Sequence, residues 1–125
     1  MPNLDSLTAA THDGGLTATE VRALLNVAID LAEDLGTACA VVVLDPGGSL
    51  RGAERPGTVP GDQLDRAVRS ARQALSSGER EVQAAHVGAV VLNLDGSSRG
   101  ALGISGGPDG FAIVACRAAA HALGL

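Results

Sequence analysis

The sequence predicts one small α/β domain of the α+β type, with a largely antiparallel sheet of about four or five strands flanked by helices. Its length of 125 residues is typical of a single domain. Two apolar runs are each followed by a glycine-containing turn and a further extended segment, which is the pattern of a hairpin. Segments with helical spacing of apolar residues surround these hairpins. The predicted order is therefore helix-hairpin-helix-hairpin-helix.

The first half of the chain supplies one helix and one hairpin. Thr17 and Glu20 have the spacing of a capping box, which predicts that the first helix begins there. Gly36 is expected to end this helix. A buried strand over 38–44 follows, because its residues are continuously apolar and largely β-branched. A turn rich in glycine then leads to a second strand over 49–54, which closes the first hairpin.

The second half repeats this plan between two helices. An amphipathic pattern predicts a helix over 62–76, and a short segment over 77–86 leads away from it. Strands over 87–94 and 99–105 are expected to form the second hairpin, joined by a turn of Asp, Gly and Ser. The last helix is predicted over 111–123.

The composition limits both the core and the function. Hydrophobic residues make up 46% of the chain, yet Phe111 is the only aromatic residue, so small side chains must fill the core. Lysine is absent and the net charge is −5, which excludes a Schiff-base lysine and a phosphate-binding loop of the lysine-containing type. Without a basic stripe or stacking aromatics, no nucleic-acid binding is expected. So small a core predicts further burial in a homo-oligomer.

The ends of the chain and its cysteines bear on location and redox state. Residues 1–15 are polar and are predicted to be a flexible tail that precedes a single domain over 16–125. No signal peptide and no membrane span are expected, which predicts a cytoplasmic protein. Cys39 and Cys116 lie in apolar runs without the spacing of a redox or zinc motif. They are therefore expected to be buried free thiols, and no metal site is predicted.

A glycine-rich segment carries the first candidate site. Gly106 and Gly107 lie where a strand meets the last helix, and glycines there permit positive φ and close approach. The amides at the helix start could hold a carboxylate, phosphate or propionate. The alternative is a plain tight turn with Asp109 as the helix cap. Ser105 has a spacing similar to that of a nucleophile elbow, although acyl transfer also requires a base and a third group.

His86 and Arg55 complete the candidates. His86 precedes a strand and could serve as a general base, or as an axial ligand to a haem or corrinoid; the alternative is a capping or loop histidine. Arg55 could clamp an anionic ligand, and the alternative is an ordinary surface ion pair. The catalytic candidates are His86, Arg55, Asp109 and Ser105, and the cofactor-binding candidates are His86, Arg55, Gly106 and Gly107.

Four blocks in order along the chain resemble the GlcG/HbpS-like family, which is described as haem-binding or haem-degrading. They are VVLDPGGSL at 42–50, Arg55, AVRSARQA at 67–74 and GALGISGG at 100–107, the last similar to the family's GAIGVSGG. The resemblance implies a profilin-like or GlcG-like sheet of about five strands. It also implies an oligomer, and a pocket for haem or another small molecule near the subunit contacts.

Three functions are compatible with the sequence. The resemblance favours a small-molecule-binding protein whose ligand is haem or another tetrapyrrole. Ala112 and Ile113 stand where the family has an acidic pair, and such departures favour two alternatives. One is a small cofactor-independent enzyme, an isomerase, lyase or cyclase acting on an organic metabolite of a biosynthetic or catabolic pathway. The other is a non-catalytic accessory subunit. Whether the protein is an enzyme is left open by the sequence.

Overall fold

A computed structural model describes residues 15–125, so the predicted tail lies almost wholly outside the described part of the chain. Three helices and five strands alternate along these residues. They are α1 Ala18–Asp34, β1 Cys39–Leu44, β2 Leu50–Glu54, α2 Gly61–Ser77, β3 Glu81–Ala84, β4 Val87–Leu94, β5 Ser97–Gly106 and α3 Phe111–Ala122. None of the helices in this range is long and apolar enough to cross a membrane.

The five strands form one sheet in the order β2-β1-β5-β4-β3, and every neighbouring pair is antiparallel. Helices α1 and α3 pack against one face of the sheet, and α2 packs against the other. The predicted fold class and the antiparallel sheet are confirmed. Both outer strands are short, with five residues in β2 and four in β3. Short edge strands limit pairing with foreign chains.

The predicted element order is wrong at one place, because the segment over 77–86 contains the strand β3. This strand pairs with β4, so the second half of the sheet is a three-stranded meander rather than a hairpin. Its sequence, Glu81-Val82-Gln83-Ala84, has one β-branched residue and no clear alternation, so the pattern gave little sign of a strand. Pairing with β4 stabilises it there.

The start of α1 follows the prediction. The Thr17 hydroxyl accepts a hydrogen bond from the Glu20 amide at 3.1 Å, and the Glu20 carboxylate accepts one from the Thr17 amide at 2.8 Å. This reciprocal pair is a capping box, and it satisfies two backbone donors that the helix itself leaves free. Gly36, with φ of 67°, follows the C-cap residue Leu35.

Strand β1 is central to the core. All six of its residues are buried, because helices cover both faces of the sheet. Val41 and Val43 face the layer of α1 and α3, whereas Val42 and Leu44 face α2. A strand buried on both faces has no polar side to alternate with, which explains the continuous apolar run.

Two glycines in the sheet allow the helices to approach it closely. A Cβ on Gly103 of β5 would lie 2.4 Å from the Ala67 carbonyl oxygen and 3.1 Å from the Ala71 Cβ, both in α2. On the opposite face, a Cβ on Gly88 would lie 2.6 Å from the Ile113 nitrogen in α3. Both helices therefore rest on the backbone of the sheet, which suits a chain with one aromatic residue.

Replacing Gly103 with Ala should destabilise the fold, because the Ala67 carbonyl of α2 already occupies the space that the new methyl group needs. We expect the free energy of unfolding to fall by about 1–3 kcal/mol, the usual range for overpacking. Urea unfolding followed by far-UV circular dichroism measures this change. Gly61→Ala is the matched control, since a Cβ there meets nothing within 4 Å and should change stability little. Equal effects of the two substitutions would contradict close packing of α2.

The two cysteines are buried free thiols, as predicted. Burial raises the pKa of Cys39 to about 11, and it raises the pKa of Cys116 well above its usual range. A thiol in the unfolded chain has a pKa of about 8.5. Above that pH the unfolded state releases protons that the folded state retains, so the thiols destabilise the fold as the pH rises.

We expect the free energy of unfolding to be unaffected by the thiols below about pH 8 and to fall between about pH 8.5 and 11. The slope should be about 1.4 kcal/mol per pH unit for each thiol. Denaturant titrations in reductant at several pH values measure it. The chain has no lysine or tyrosine to titrate in this window, so a Cys39→Ala/Cys116→Ala variant should lose the slope. An unchanged slope in that variant would show that other groups cause it.

Candidate functional site

The predicted site residues lie at one end of the sheet. In the antiparallel register, Cys39 at the start of β1 pairs with Gly106 at the end of β5, and Ser105 pairs with Val87 at the start of β4. His86 immediately precedes β4 at this end. Arg55 follows β2 there too, but β1 and β5 separate the two strands next to which Arg55 and His86 lie. The topology therefore groups the candidates at one end of the sheet without placing them all in contact.

The segment Gly106–Gly110, here called the glycine turn, joins β5 to α3. Gly106, Gly107 and Gly110 have φ values of 119°, 79° and 85°, a region that residues with a Cβ rarely adopt. The predicted need for glycine is thus confirmed. The alternative in which Asp109 caps the helix is wrong, because Gly110 is the N-cap and no side chain caps this helix. The left-handed conformation of Gly110 brings the chain into the helix in place of an Asx cap.

Backbone hydrogen bonds attach the glycine turn to the loop before β4. The Gly106 amide donates to the His86 carbonyl at 2.8 Å, and the Gly110 amide donates to the Ala85 carbonyl at 3.0 Å. The Phe111 amide donates to the Pro108 carbonyl at 3.0 Å. Three of the amides that could have contributed to an anion cradle therefore already have partners inside the chain. The exposed His86 side chain forms part of the outer surface of the turn.

The His86 side chain is exposed, and its Nδ1 lies 3.0 Å from the Gly107 carbonyl oxygen. A carbonyl oxygen can only accept, so Nδ1 must carry the proton in this hydrogen bond. In the neutral imidazole, Nε2 is then left with its lone pair free. Metal-ligating histidines in proteins are commonly oriented in this way, with the other ring nitrogen donating to a carbonyl or carboxylate.

The surroundings of Gly107 are tight. A Cβ on Gly107 would lie 2.7 Å from Phe111 Cδ2 and 3.4 Å from Thr37 Oγ1, so this glycine sits between the start of α3 and the segment after α1. Two large apolar side chains on these elements are exposed: Val114, one turn beyond Phe111, at 60%, and Leu35 at 68%. The end of the sheet that carries His86 thus also carries solvent-exposed apolar surface.

Ser105 is the one polar residue among the fully buried side chains of the described region. Its hydroxyl donates a hydrogen bond to the Gln63 side-chain oxygen in the first turn of α2. Ser105 therefore faces α2 rather than a histidine. Gln63 cannot be identified from the sequence, because a lone glutamine on a helix gives no signal until the helix is placed on the sheet.

Arg55 and Asp109 are both exposed. The Arg55 guanidinium donates to the Val59 carbonyl at 2.5 Å, within the loop between β2 and α2. Across residues 15–125, no hydrogen bond or ion pair joins Arg55, Asp109, Ser105 or His86 to one another. Residues 15–125 contain no group of three or more His, Cys, Asp or Glu side chains that could hold a metal ion.

Comparison with solved structures places this fold among known proteins. HbpS superposes with a TM-score of 0.77 at 20% sequence identity, covering 89% of this chain and 92% of that chain. PduOC, solved in complex with haem, superposes with a TM-score of 0.74 at 17% identity, covering 88% of this chain and 96% of that chain. The chain has the GlcG/HbpS-like fold.

The GlcG/HbpS-like fold extends over almost the whole described part of the chain. The Klebsiella pneumoniae protein ORFY shares it, with a TM-score of 0.74 at 17% identity, covering 85% of this chain and 88% of that chain. No protein-family model matches the sequence, and no curated protein matches it either. The fold that the resemblance implied is therefore confirmed through three-dimensional structure.

Loss of the Ser105 hydroxyl should destabilise the protein by about 1 kcal/mol, because Gln63 then lacks its donor inside the structure. A Ser105→Ala/Gln63→Leu variant should recover part of this loss, since both polar partners are then removed. Chemical denaturation of the two single variants and the double variant measures the coupling. Strictly additive effects would show that the two side chains do not interact.

Proposed function

We propose that the protein binds a haem-type tetrapyrrole, with Nε2 of His86 as the axial ligand to the iron. The observation that carries the proposal is the hydrogen bond from His86 Nδ1 to the Gly107 carbonyl, at 3.0 Å. It fixes the ring and leaves Nε2 free on an exposed side chain. One histidine is enough to hold haem iron, so the site does not depend on a cluster of ligands.

The surface around His86 suits a tetrapyrrole. A porphyrin ring is a broad apolar plane, and Val114 and Leu35 offer exposed apolar side chains on the two elements that flank Gly107. Arg55 is exposed at the same end of the sheet, and we propose that it pairs with a propionate carboxylate. Bound haem would supply a redox-active iron whose properties depend on its axial ligand. The chain itself would supply ligation and orientation.

The fold supports the proposal independently. PduOC was solved as a haem complex, and this chain superposes on it over 88% of its length. A second copy of this chain is the partner we propose, because an exposed histidine in an apolar surface leaves one face of the porphyrin open to another subunit. Large exposed apolar side chains at Leu35 and Val114 favour burial of that kind.

An enzymatic role has less support. The four catalytic candidates do not form a linked group, and the Ser105 hydroxyl is buried and donates to Gln63. Asp109 is exposed, and within the described residues no hydrogen bond joins it to His86. Acid–base catalysis requires groups within reach of a common substrate atom, so binding is the better-supported function.

His86→Ala should weaken haem binding at least tenfold and change the Soret band of any haem that still binds, because the axial nitrogen is lost. Spectrophotometric titration of the purified protein with hemin measures both effects. Sedimentation of the loaded sample gives the number of chains per haem, expected to be two.

His121→Ala is the matched control, since His121 is also exposed but lies in the last turn of α3. It should leave the Soret band and the affinity unchanged. Wild-type affinity and spectrum in His86→Ala would overturn the assignment of His86. Absence of saturable hemin binding by the wild-type protein would overturn the proposed function as a whole.

A further inference from the structure

A cleft of about 510 Å³ lies between the start of β3, the middle of β4 and the outer face of α3. None of the site residues proposed above lines it. Its volume is in the range of small-molecule sites in proteins, roughly 300–1,000 Å³. The residues that line it combine a cationic rim with an apolar floor.

The rim holds three basic side chains from two elements. Arg80 comes from the segment just before β3, and Arg117 and His121 lie one turn apart on α3. Residues four apart in a helix project from the same face, so both reach the cleft. The Arg80 carbonyl accepts from the Val91 amide at 2.8 Å, which fixes the backbone of Arg80 against β4.

Glu81 is the one acidic residue in the lining. Its carboxylate accepts two hydrogen bonds from Arg117, at 2.9 Å from Nε and 2.6 Å from Nη2. The Arg117 side chain is thereby held across the cleft, with its Nη1 donors unused by Glu81. Arg80 forms no ion pair with any residue in 15–125. Among the lining side chains, the guanidinium groups of Arg80 and Arg117 outnumber the single carboxylate of Glu81, although the chain carries a net charge of −5.

The floor of the cleft is apolar. It is formed by Val90 and Val91 of β4, by Ala118 and Ala120 of α3, and by Leu125. Because the α3 side chains on this floor are small, they leave the space between the charged groups unfilled. Apolar surface next to unpaired guanidinium donors matches a molecule with an apolar body and one anionic group.

We infer that this cleft binds an amphipathic monocarboxylate, with its carboxylate on Arg80 and the free Nη1 donors of Arg117 and its hydrocarbon body on the Val90–Val91 floor. This site is separate from the proposed haem site. Glu81 orients Arg117, and its negative charge also opposes the incoming carboxylate. Removal of that charge should therefore strengthen binding, whereas removal of the Arg80 charge should weaken it.

Octanoate is the probe, and chemical-shift titration of the uniformly ¹⁵N-labelled full chain locates and measures its binding. We expect saturable shifts centred on the amides of Val90, Ala118 and His121. Octanol, which lacks the charge, and acetate, which lacks the hydrocarbon chain, should each bind at least fivefold more weakly. Shifts that map away from the cleft, or equal binding of octanol and octanoate, would overturn the inference.

Arg80→Gln should weaken octanoate binding at least fivefold, and Glu81→Gln should strengthen it about twofold or more. Arg66→Gln is the matched control, because Arg66 is an exposed arginine on α2, outside the cleft, and should leave the affinity unchanged. The same spectra report whether each variant is folded. Wild-type affinity in Arg80→Gln would contradict the assignment.

A hemin titration separates this inference from the proposed function. Arg80→Gln should bind hemin as the wild type does, and His86→Ala should bind octanoate as the wild type does. Loss of octanoate binding in His86→Ala would place the carboxylate site at the glycine turn and overturn the cleft assignment, whatever the outcome for haem.

Discussion

Helix α2 lies on β5 so closely that the missing side chain of Gly103 is what makes room for it. A Cβ at that position would be 2.4 Å from the Ala67 carbonyl oxygen. Ala67, Ala71 and Ala74 form the buried stripe of the helix, so its backbone is brought down to the sheet along its length. This depth determines where the first turn of α2 falls, and hence that Gln63 meets Ser105 near the end of β5. The order of the core on this face follows from one small contact.

The other face uses the same device at Gly88, which receives the first turn of α3. Because α3 begins there, the chain must pass from β5 into the helix within a few residues, and glycines with positive φ provide that path. The turn leaves the Gly107 carbonyl in reach of His86. The orientation of the imidazole is therefore a result of helix packing, and the proposed ligand site is built mainly by the backbone.

Much of the fold could be predicted because it rests on local signals. The capping box at Thr17 and the apolar run of β1 each depend only on residues close together in the sequence. Strand β3 could not be read in this way, because its four residues become a strand only by pairing with β4. The mistaken cap at Asp109 has a similar origin: Asp is a common N-cap, and only the conformation of Gly110 reveals that the helix starts differently.

The site was harder to predict than the fold. His86 and the glycine turn were singled out from the sequence, but the hydrogen bond between them joins residues 21 apart. Gln63 and the cleft at Arg80 had no local pattern at all, because their partners come from other elements.

The contact at Gly103 also bears on how this protein could change. Helix α2 is held in place by its alanine stripe, by the partly buried Leu64, Val68 and Leu75, and by hydrogen bonds of Gln63 and Arg72 to the sheet and its first turn. Its exposed residues Asp65, Arg66 and Arg69 contribute little to that position. Substitutions on that outward face of α2, by design or in evolution, can therefore create new surfaces without changing the sheet beneath.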